Sequence, residues 1–290
     1  MSAIQNSYTN LSSAAGLGLI GFDENDVVAD YGCMFIDSFV YSSRLCKEIV
    51  GIVPSSERLK ALQKRLVEED VKNYDLVDTN YNEQHFKEAF DYVIINSFLE
   101  QLLMEIKHNK SIYFNSKTLS KQSDDNPEKI RIKFLQTVYN GLRPAGTLYL
   151  SYANNLRIRT LLFFIKLAIE SFFTAISLKK APSFISLLNA IYLFFYYLLS
   201  QEGFGELLKA NGFVHIEKYA VFPDHKYPLK IIPLSKLDEC SFEPVQHLYR
   251  GGYFRRICAG ARRRIDIIIF NKLKLFSLSP SFIIMARKAS

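Results

Sequence analysis

An acidic residue and a glycine stand two positions apart at the end of an apolar run, in the stretch VADYGCMFIDSF at residues 28–39. Asp30 and Gly32 have the spacing with which a nucleotide-binding turn begins, because glycine lets the backbone approach a ligand closely and adopt a positive φ. Two further glycines usually complete such a turn, and this chain has Met34 and Ile36 in their places. The stretch therefore indicates a ligand-binding type of turn with larger side chains in its second half.

Candidates for proton transfer are few. Glu100 follows a predicted strand, and Asp224 and His225 stand together after a proline in the C-terminal part. A carboxylate or an imidazole can accept a proton from a reacting hydroxyl or amine. The sequence contains no serine-hydrolase pattern and no phosphate-binding P-loop. Its four cysteines lack the short spacing of a zinc site, so no metal site is predicted.

Short apolar runs alternate with helical patterns through the first half of the chain. The leucines of Ser56–Glu69 recur at helical spacing, and the pair Ser55-Ser56 is placed to cap that helix. Gly212 is suited to end a second short helix, Gly205–Asn211. The alternation predicts right-handed crossovers and a mostly parallel sheet. The predicted strands are Val27–Tyr31, Glu48–Val53, Tyr74–Val77, Phe90–Asn96, Gly146–Tyr152, Phe213–Val221 and Ser281–Arg287.

The 290 residues suit one domain, over 1–290, that carries three departures from this alternation. A polar insertion is predicted over 105–130, and a tail insertion over 222–280 precedes the last strand. Residues 157–200 are strongly apolar and form either a cytosolic helical cap, a helical hairpin in a membrane interface, or two spans. A spanning helix needs about 20 apolar residues, and the apolar runs here are short or carry charges, which disfavours the spans.

Six segments, in this order and spacing, resemble the class I S-adenosylmethionine-dependent methyltransferases. They cover most of the chain outside 105–130 and 157–200. The segments are VVADYGCMF, EIVGIVPSSERLKALQKRL, FDYVIINSFLEQLL, FLQTVYNGLRPAGTLYLSY, LLKANGFVHIEKYAVFPDHKYPLKIIP and SPSFIIMARK. The resemblance implies a Rossmann-like, seven-stranded, mostly parallel sheet with helices on both faces, an antiparallel last strand and a helical cap insertion.

The resemblance also implies a cofactor site for S-adenosylmethionine at the carboxyl ends of the strands. Asp30 would hold the turn or the methionine amine, and Gly32 and Cys33 form the turn itself. Asp78 matches an adenine contact, and Asn96 and Ser97 end the fourth strand, where cofactor and acceptor meet. A local structural role is open for each of the polar residues. Asp30 and Asp78 suit turns, and Asn96 can satisfy nearby backbone groups.

Three residues depart from the family pattern. Met34 and Ile36 put side chains where the family has glycine or a small group. The second strand ends in Val53, where the family commonly has a carboxylate that accepts hydrogen bonds from the ribose hydroxyls. These departures leave two functions open. One is methyl transfer to a small-molecule or lipid-linked acceptor, with a sugar as one case. The other is a non-catalytic, methyltransferase-like scaffold or binding subunit.

Charge and composition bear on partners and location. The net charge is +7, and the basic stretch RRICAGARRR at 255–264 lacks the interleaved aromatics of nucleic-acid-binding modules. Nucleic acid is therefore not a predicted partner. These arginines either contact an anionic membrane surface or form a solvated face. The N-terminal residues have no signal-peptide pattern. A cytoplasmic location is expected, peripheral to the membrane if 157–200 lies in the interface.

Overall fold

A computed structural model describes residues 12–53, 55–78, 86–99, 127–153, 203–222, 228, 230–239, 279 and 281–290. Residues 157–200 and the basic stretch 255–264 lie outside the described residues, as do most of 105–130 and much of 222–280. Among the described residues, no helix has both the length and the hydropathy that crossing a membrane requires.

One mixed sheet organises the described part of the chain. Eight strands pair in the order β3-β2-β1-β4-β5-β8-β6-β7. Strands β1 to β5 run parallel, and β8 lies antiparallel between β5 and β6. The bounds are β1 Val27–Tyr31, β2 Glu48–Val53, β3 Tyr74–Asp78, β4 Phe90–Asn96, β5 Leu142–Ala153, β6 Phe213–Phe222, β7 Lys230–Pro233 and β8 Ser281–Lys288.

Helices cover both faces of the sheet, because alternate residues of each strand point to opposite sides. Val28 belongs to a core with the first 3-10 helix and with α1 and α2, whereas Ala29 belongs to a core with α3 and α4. The helices are the 3-10 helix Ser12–Leu19, α1 Ile36–Ser43, α2 Ser56–Glu68, α3 Pro127–Gly141 and α4 Gly203–Ala210, with a second 3-10 helix at Leu234–Glu239.

The local signals for helix ends act as predicted. Ser55 is the N-cap of α2, and its side chain accepts a hydrogen bond from the backbone N–H of Arg58 at 3.4 Å. Gly212 follows α4 with a φ of +89°, the left-handed conformation that glycine adopts without strain. Helix α3 begins at Pro127, so the last residues of the polar insertion predicted over 105–130 are helical. Proline is well suited to the first helical position, where no N–H partner is needed.

The prediction of seven strands was wrong by one. The additional strand, β7, lies within the stretch predicted as a tail insertion and pairs antiparallel with β6 at the edge of the sheet. It is short and ends in Pro233, a residue that weakens a strand signal but is tolerated at a sheet edge because it lacks only a ladder donor. The predicted pairing of the segments at Phe213–Val221 and Ser281–Arg287 is confirmed, since β6 and β8 are neighbours.

Strand β5 is longer than predicted. Its pairing with β4 starts at Leu142 and shifts register between Phe90 and Tyr92 of β4. Ala145 has a φ of +61°, so the backbone is irregular inside the strand before the predicted start at Gly146. This difference lies at the start of the strand, opposite the edge that carries the candidate ligand-binding residues.

Candidate functional site

The turn after β1 lies at the carboxyl edge of the sheet, between the ends of β2 and β4. The backbone N–H of Gly32 donates to the carbonyl of Ile52 on β2 at 2.8 Å. Gly32 has a φ of +89°, and Cys33 follows with a φ of +44°. Two successive left-handed residues reverse the chain tightly, and the second is strained because it carries a side chain.

The glycine at position 32 is required by a neighbouring aromatic ring. A Cβ at this position would fall 2.6 Å from Cγ of Phe98, the second residue after β4, and closer still to its Cδ2. Real Cβ atoms do not approach other atoms so closely. The contact between Phe98 and the turn therefore explains Gly32 without a ligand, and the glycine alone is no evidence for one.

Asp30 is the buried acid of the turn. Its exposed fraction is 2%, and its Oδ1 has no hydrogen-bond partner among the residues that the structure describes. Burial raises the pKa of this carboxyl to about 8, although the backbone N–H of Cys33 and the charge of Arg58 act in the opposite direction. A buried carboxyl oxygen without a partner is costly. It is the one candidate in the turn with a vacant acceptor position.

The side chain of Cys33 is buried and contacts the backbone of the same turn. Its Sγ lies 3.4 Å from the backbone oxygen of Asp30, and its exposed fraction is 1%. Burial, and then the charge of Asp30, raise the pKa of this thiol well above its ordinary value. The protonated, enclosed thiol is suited to packing and not to nucleophilic attack.

The end of β4 lies beside the turn, as predicted, because β1 and β4 are adjacent strands. Asn96 is buried, and its Oδ1 accepts a hydrogen bond from the hydroxyl of Ser151 on β5. Ser97 has a φ of +60°, and its backbone N–H donates to the carbonyl of Ser151 at 3.0 Å. Ser151 therefore fixes the orientation of the Asn96 amide, a contact that the sequence did not predict.

Asp78 lies further along the same edge. It is the exposed last residue of β3 and pairs in register with Val53, the last residue of β2. Strand β2 separates β3 from β1, so Asp78 is on the predicted edge but not beside Asn96. The proton-transfer candidates Glu100, Asp224 and His225 lie outside the described residues.

The two sides of this edge differ in how well they fit S-adenosylmethionine. On the β1 and β4 side, the vacant oxygen of Asp30 and the oriented amide of Asn96 suit a polar ligand group. On the β2 side, Val53 is fully buried in an apolar cluster, and its side chain offers no acceptor for ribose hydroxyls. The residues therefore fit the methionine half of the cofactor and not the ribose half.

Arg58 is a residue of this edge that sequence reasoning missed. It lies in the first turn of α2, and its Nη1 is 2.8 Å from Sδ of Met34 and 3.5 Å from the carbonyl oxygen of Gly32. Helical periodicity says only which face of α2 is apolar. The reach of a long side chain across to the β1 turn depends on how the helix packs, which leaves no local signal.

The chain is similar to some solved structures at low sequence identity. No family model and no curated protein matches the chain. Among solved structures, the YcgJ protein from Bacillus subtilis is 12% identical, with a TM-score of 0.46, over 96% of this chain and 98% of that chain. Phosphoethanolamine N-methyltransferase 2 from Haemonchus contortus, solved with S-adenosyl-L-methionine, is 16% identical with a TM-score of 0.47. This alignment covers 97% of our chain but only 53% of that protein.

A third solved structure is a Haloferax volcanii complex that contains the Trm112 methyltransferase activator. Its match is 12% identical, with a TM-score of 0.49, and covers 99% of this chain and 93% of that chain. Identities this low bear on the fold and not on the activity. The strand order, with β8 antiparallel between β5 and β6 and helices on both faces, confirms the fold that the sequence resemblance implies. The described part of the chain therefore has the sheet of a class I methyltransferase fold.

Proposed function

We propose that this protein transfers a methyl group from S-adenosylmethionine to a small-molecule or lipid-linked acceptor. The observation that carries the proposal is the strained, left-handed backbone of Cys33 and Ser97 beside the vacant oxygen of Asp30. Strained backbone is concentrated at functional sites. Open α/β sheets bind ligands where the strand order reverses, which here is between β1 and β4.

Each residue of this edge has a role under the proposal. Asp30 would accept a hydrogen bond from the amino group of the methionine portion. The NH2 group of Asn96, oriented by Ser151, would donate to the cofactor or the acceptor. When bound, S-adenosylmethionine supplies an electrophilic methyl group. The chain itself aligns the two substrates and keeps water away, and methyl transfer to oxygen or nitrogen depends mainly on such positioning.

Binding is expected to be weak because of Val53. Losing a charged acceptor for buried ribose hydroxyls costs about 1.5–3 kcal/mol, which corresponds to roughly tenfold to over a hundredfold in affinity. Isothermal titration calorimetry of the full chain with S-adenosylmethionine and S-adenosylhomocysteine tests this directly. We expect saturable binding of both in the micromolar range. Millimolar or undetectable binding of both would contradict the proposal.

The acceptor side of the proposal concerns residues 157–200. Their position directly after β5 supports a covering role over the strand ends, and their apolarity exceeds what a lid over a polar sugar needs. Basic residues such as Lys179 and Lys180 flank the apolar runs, as in interfacial helices. These features support an acceptor delivered from a membrane surface to a cytoplasmic, peripherally bound protein.

Liposome flotation tests the membrane part of the proposal. The full chain is expected to float with anionic liposomes, and a variant lacking residues 157–200 is expected to remain in the unbound fraction. Liposomes of neutral lipid serve as the control for electrostatic attraction. If the full chain also stays unbound with anionic liposomes, the membrane hypothesis fails and the segment is a cytosolic cap.

A second candidate function, a non-catalytic scaffold or binding subunit, is favoured by different observations. Val53 is buried and aliphatic, and Arg58 contacts both Met34 and Gly32 at the turn where a cofactor would lie. Under this alternative the fold is retained and the ligand is not. The calorimetric titration separates the two functions, since a scaffold binds neither S-adenosylmethionine nor S-adenosylhomocysteine.

A further inference from the structure

The contact between Arg58 and Met34 lies at the turn that follows β1. Nη1 of Arg58 is 2.8 Å from Sδ of Met34, and the same nitrogen is 3.5 Å from the carbonyl oxygen of Gly32. The side chain of Ser55 accepts a hydrogen bond from the backbone N–H of Arg58, which holds the start of α2 in place. The guanidinium group thus reaches from the helix to the turn.

The two side chains come from opposite faces of the sheet. Met34 packs against the core that contains α3 and α4, whereas α2 is anchored in the other core by Leu62 and Leu66. Their contact therefore crosses the carboxyl edge of the sheet at β1. Ligands of open α/β sheets bind in the crevice outside this edge, so the contact lies across the path by which a ligand reaches the turn.

The chemistry of the contact allows it to open. A thioether sulfur is a weak acceptor, whereas a guanidinium group bonds more strongly to carboxylate or hydroxyl oxygens. Exchanging the sulfur of Met34 for an oxygen of a ligand costs little hydrogen-bond energy. The bulk of both side chains remains the obstacle, and it must move aside before the backbone of Gly32 becomes accessible.

We propose that Arg58 and Met34 form a latch over the turn that follows β1. A cofactor-type ligand must displace this latch to reach the turn. The latch rests on the proposed function, because the ligand in question is the one expected at this edge. Met34 places a side chain at the turn and is at the same time the partner of Arg58. The latch assigns a regulatory role to Met34, which otherwise counts only as a departure from the family pattern, and to Arg58, whose side chain contacts it.

The test compares S-adenosylhomocysteine binding by calorimetry among the full-length wild type, Arg58→Ala, Met34→Ala and the double variant. Each single variant is expected to bind about tenfold more tightly than wild type, because less side-chain bulk then has to move aside before the ligand reaches the turn. The double variant is expected to gain little beyond either single variant, because both substitutions open the same contact. S-adenosylhomocysteine is used because it is not turned over.

The matched control is Arg65→Ala, which removes a guanidinium from the same helix. Arg65 pairs with Glu69 at 2.8 Å, away from the turn, and its loss is expected to leave binding unchanged. Equal or weaker binding by both folded single variants overturns the latch, and the proposed function stands if wild type still binds. Binding that appears only in the variants supports the latch and contradicts methyl transfer by the wild type. Absence of binding in every protein overturns both.

Discussion

Replacing Gly32 with alanine is expected to lower the free energy of unfolding by about 3 kcal/mol or more. Two costs add. The residue has a φ of +89°, which strains any side chain, and the added Cβ would meet the ring of Phe98 at 2.6 Å or less. In a chain of this size the melting temperature should fall by about 6–12 °C. Thermal or urea unfolding measures the change.

Gly21→Ala is the matched control for this substitution. Within the part of the chain that the structure describes, no atom lies within 4 Å of a Cβ added at Gly21, and Gly21 does not have a positive φ. Its variant should therefore stay within about 0.5 kcal/mol of wild type. Phe98→Ala in combination with Gly32→Ala separates the two costs. Removing the ring relieves the overlap but not the backbone strain. The double variant should therefore lose at least about 1 kcal/mol less than the sum of the single variants.

A loss below about 1 kcal/mol for Gly32→Ala would show that the ring of Phe98 does not exclude a Cβ at position 32.

The requirement for glycine at position 32 also bears on function. A glycine that follows a strand is often taken as a mark of ligand binding, but here the fold requires it whether or not a ligand binds. The evidence for a ligand lies instead in Asp30 and in the strained residues beside it.

The sequence was sufficient for elements whose signals are local. The bounds of β1, β2 and β4 agree with the predicted runs, because each is a short apolar run closed by a polar residue or a turn. The cap at Ser55 depends only on neighbouring backbone, and it too was predictable. The edge strand β7 was not, since its four residues end in proline and are paired on one side within the described sheet.

The sequence was sufficient to predict where the candidate site lies, but not which residues contact each other there. Parallel strands place their ends at one edge, so the proximity of Gly32 and Asn96 followed from the order of the strands. The identity of their partners did not follow. Phe98 against Gly32, Ser151 against Asn96 and Arg58 against Met34 each join residues from separate elements. Such contacts depend on packing that no periodicity in one sequence encodes.

Asp30→Asn is expected to stabilise the protein at pH 8 by about 2 kcal/mol or more, with little effect at pH 4. Burial raises the pKa of Asp30 from 3.8 to about 8 in the folded state. Between these values the folded protein keeps a proton that the unfolded chain has released. The contribution of Asp30 is therefore fully present below pH 4 and is lost as the pH rises to about 8, at up to about 1.4 kcal/mol per pH unit.

The measurement is urea unfolding of wild type and Asp30→Asn at pH 4, 6 and 8. The difference between the two proteins at each pH isolates Asp30 from the other groups that titrate. Asn is close to the carboxyl in shape and does not ionise, so this difference should grow with pH and level off near pH 8. Asp37→Asn, at an exposed position in the first turn of α1, is the control and should show no such growth.

A difference that stays constant from pH 4 to pH 8 would contradict the burial of Asp30 with one unpartnered carboxyl oxygen. A growing difference would instead mean that the wild type tolerates several kcal/mol of instability at neutral pH for a carboxyl group that its fold does not need. Destabilising groups of this kind persist where a ligand uses them. Asp30→Asn should then gain stability while losing affinity for S-adenosylhomocysteine, as measured by calorimetry. If Asp30 had only a structural role, stability and affinity would not change in opposite directions.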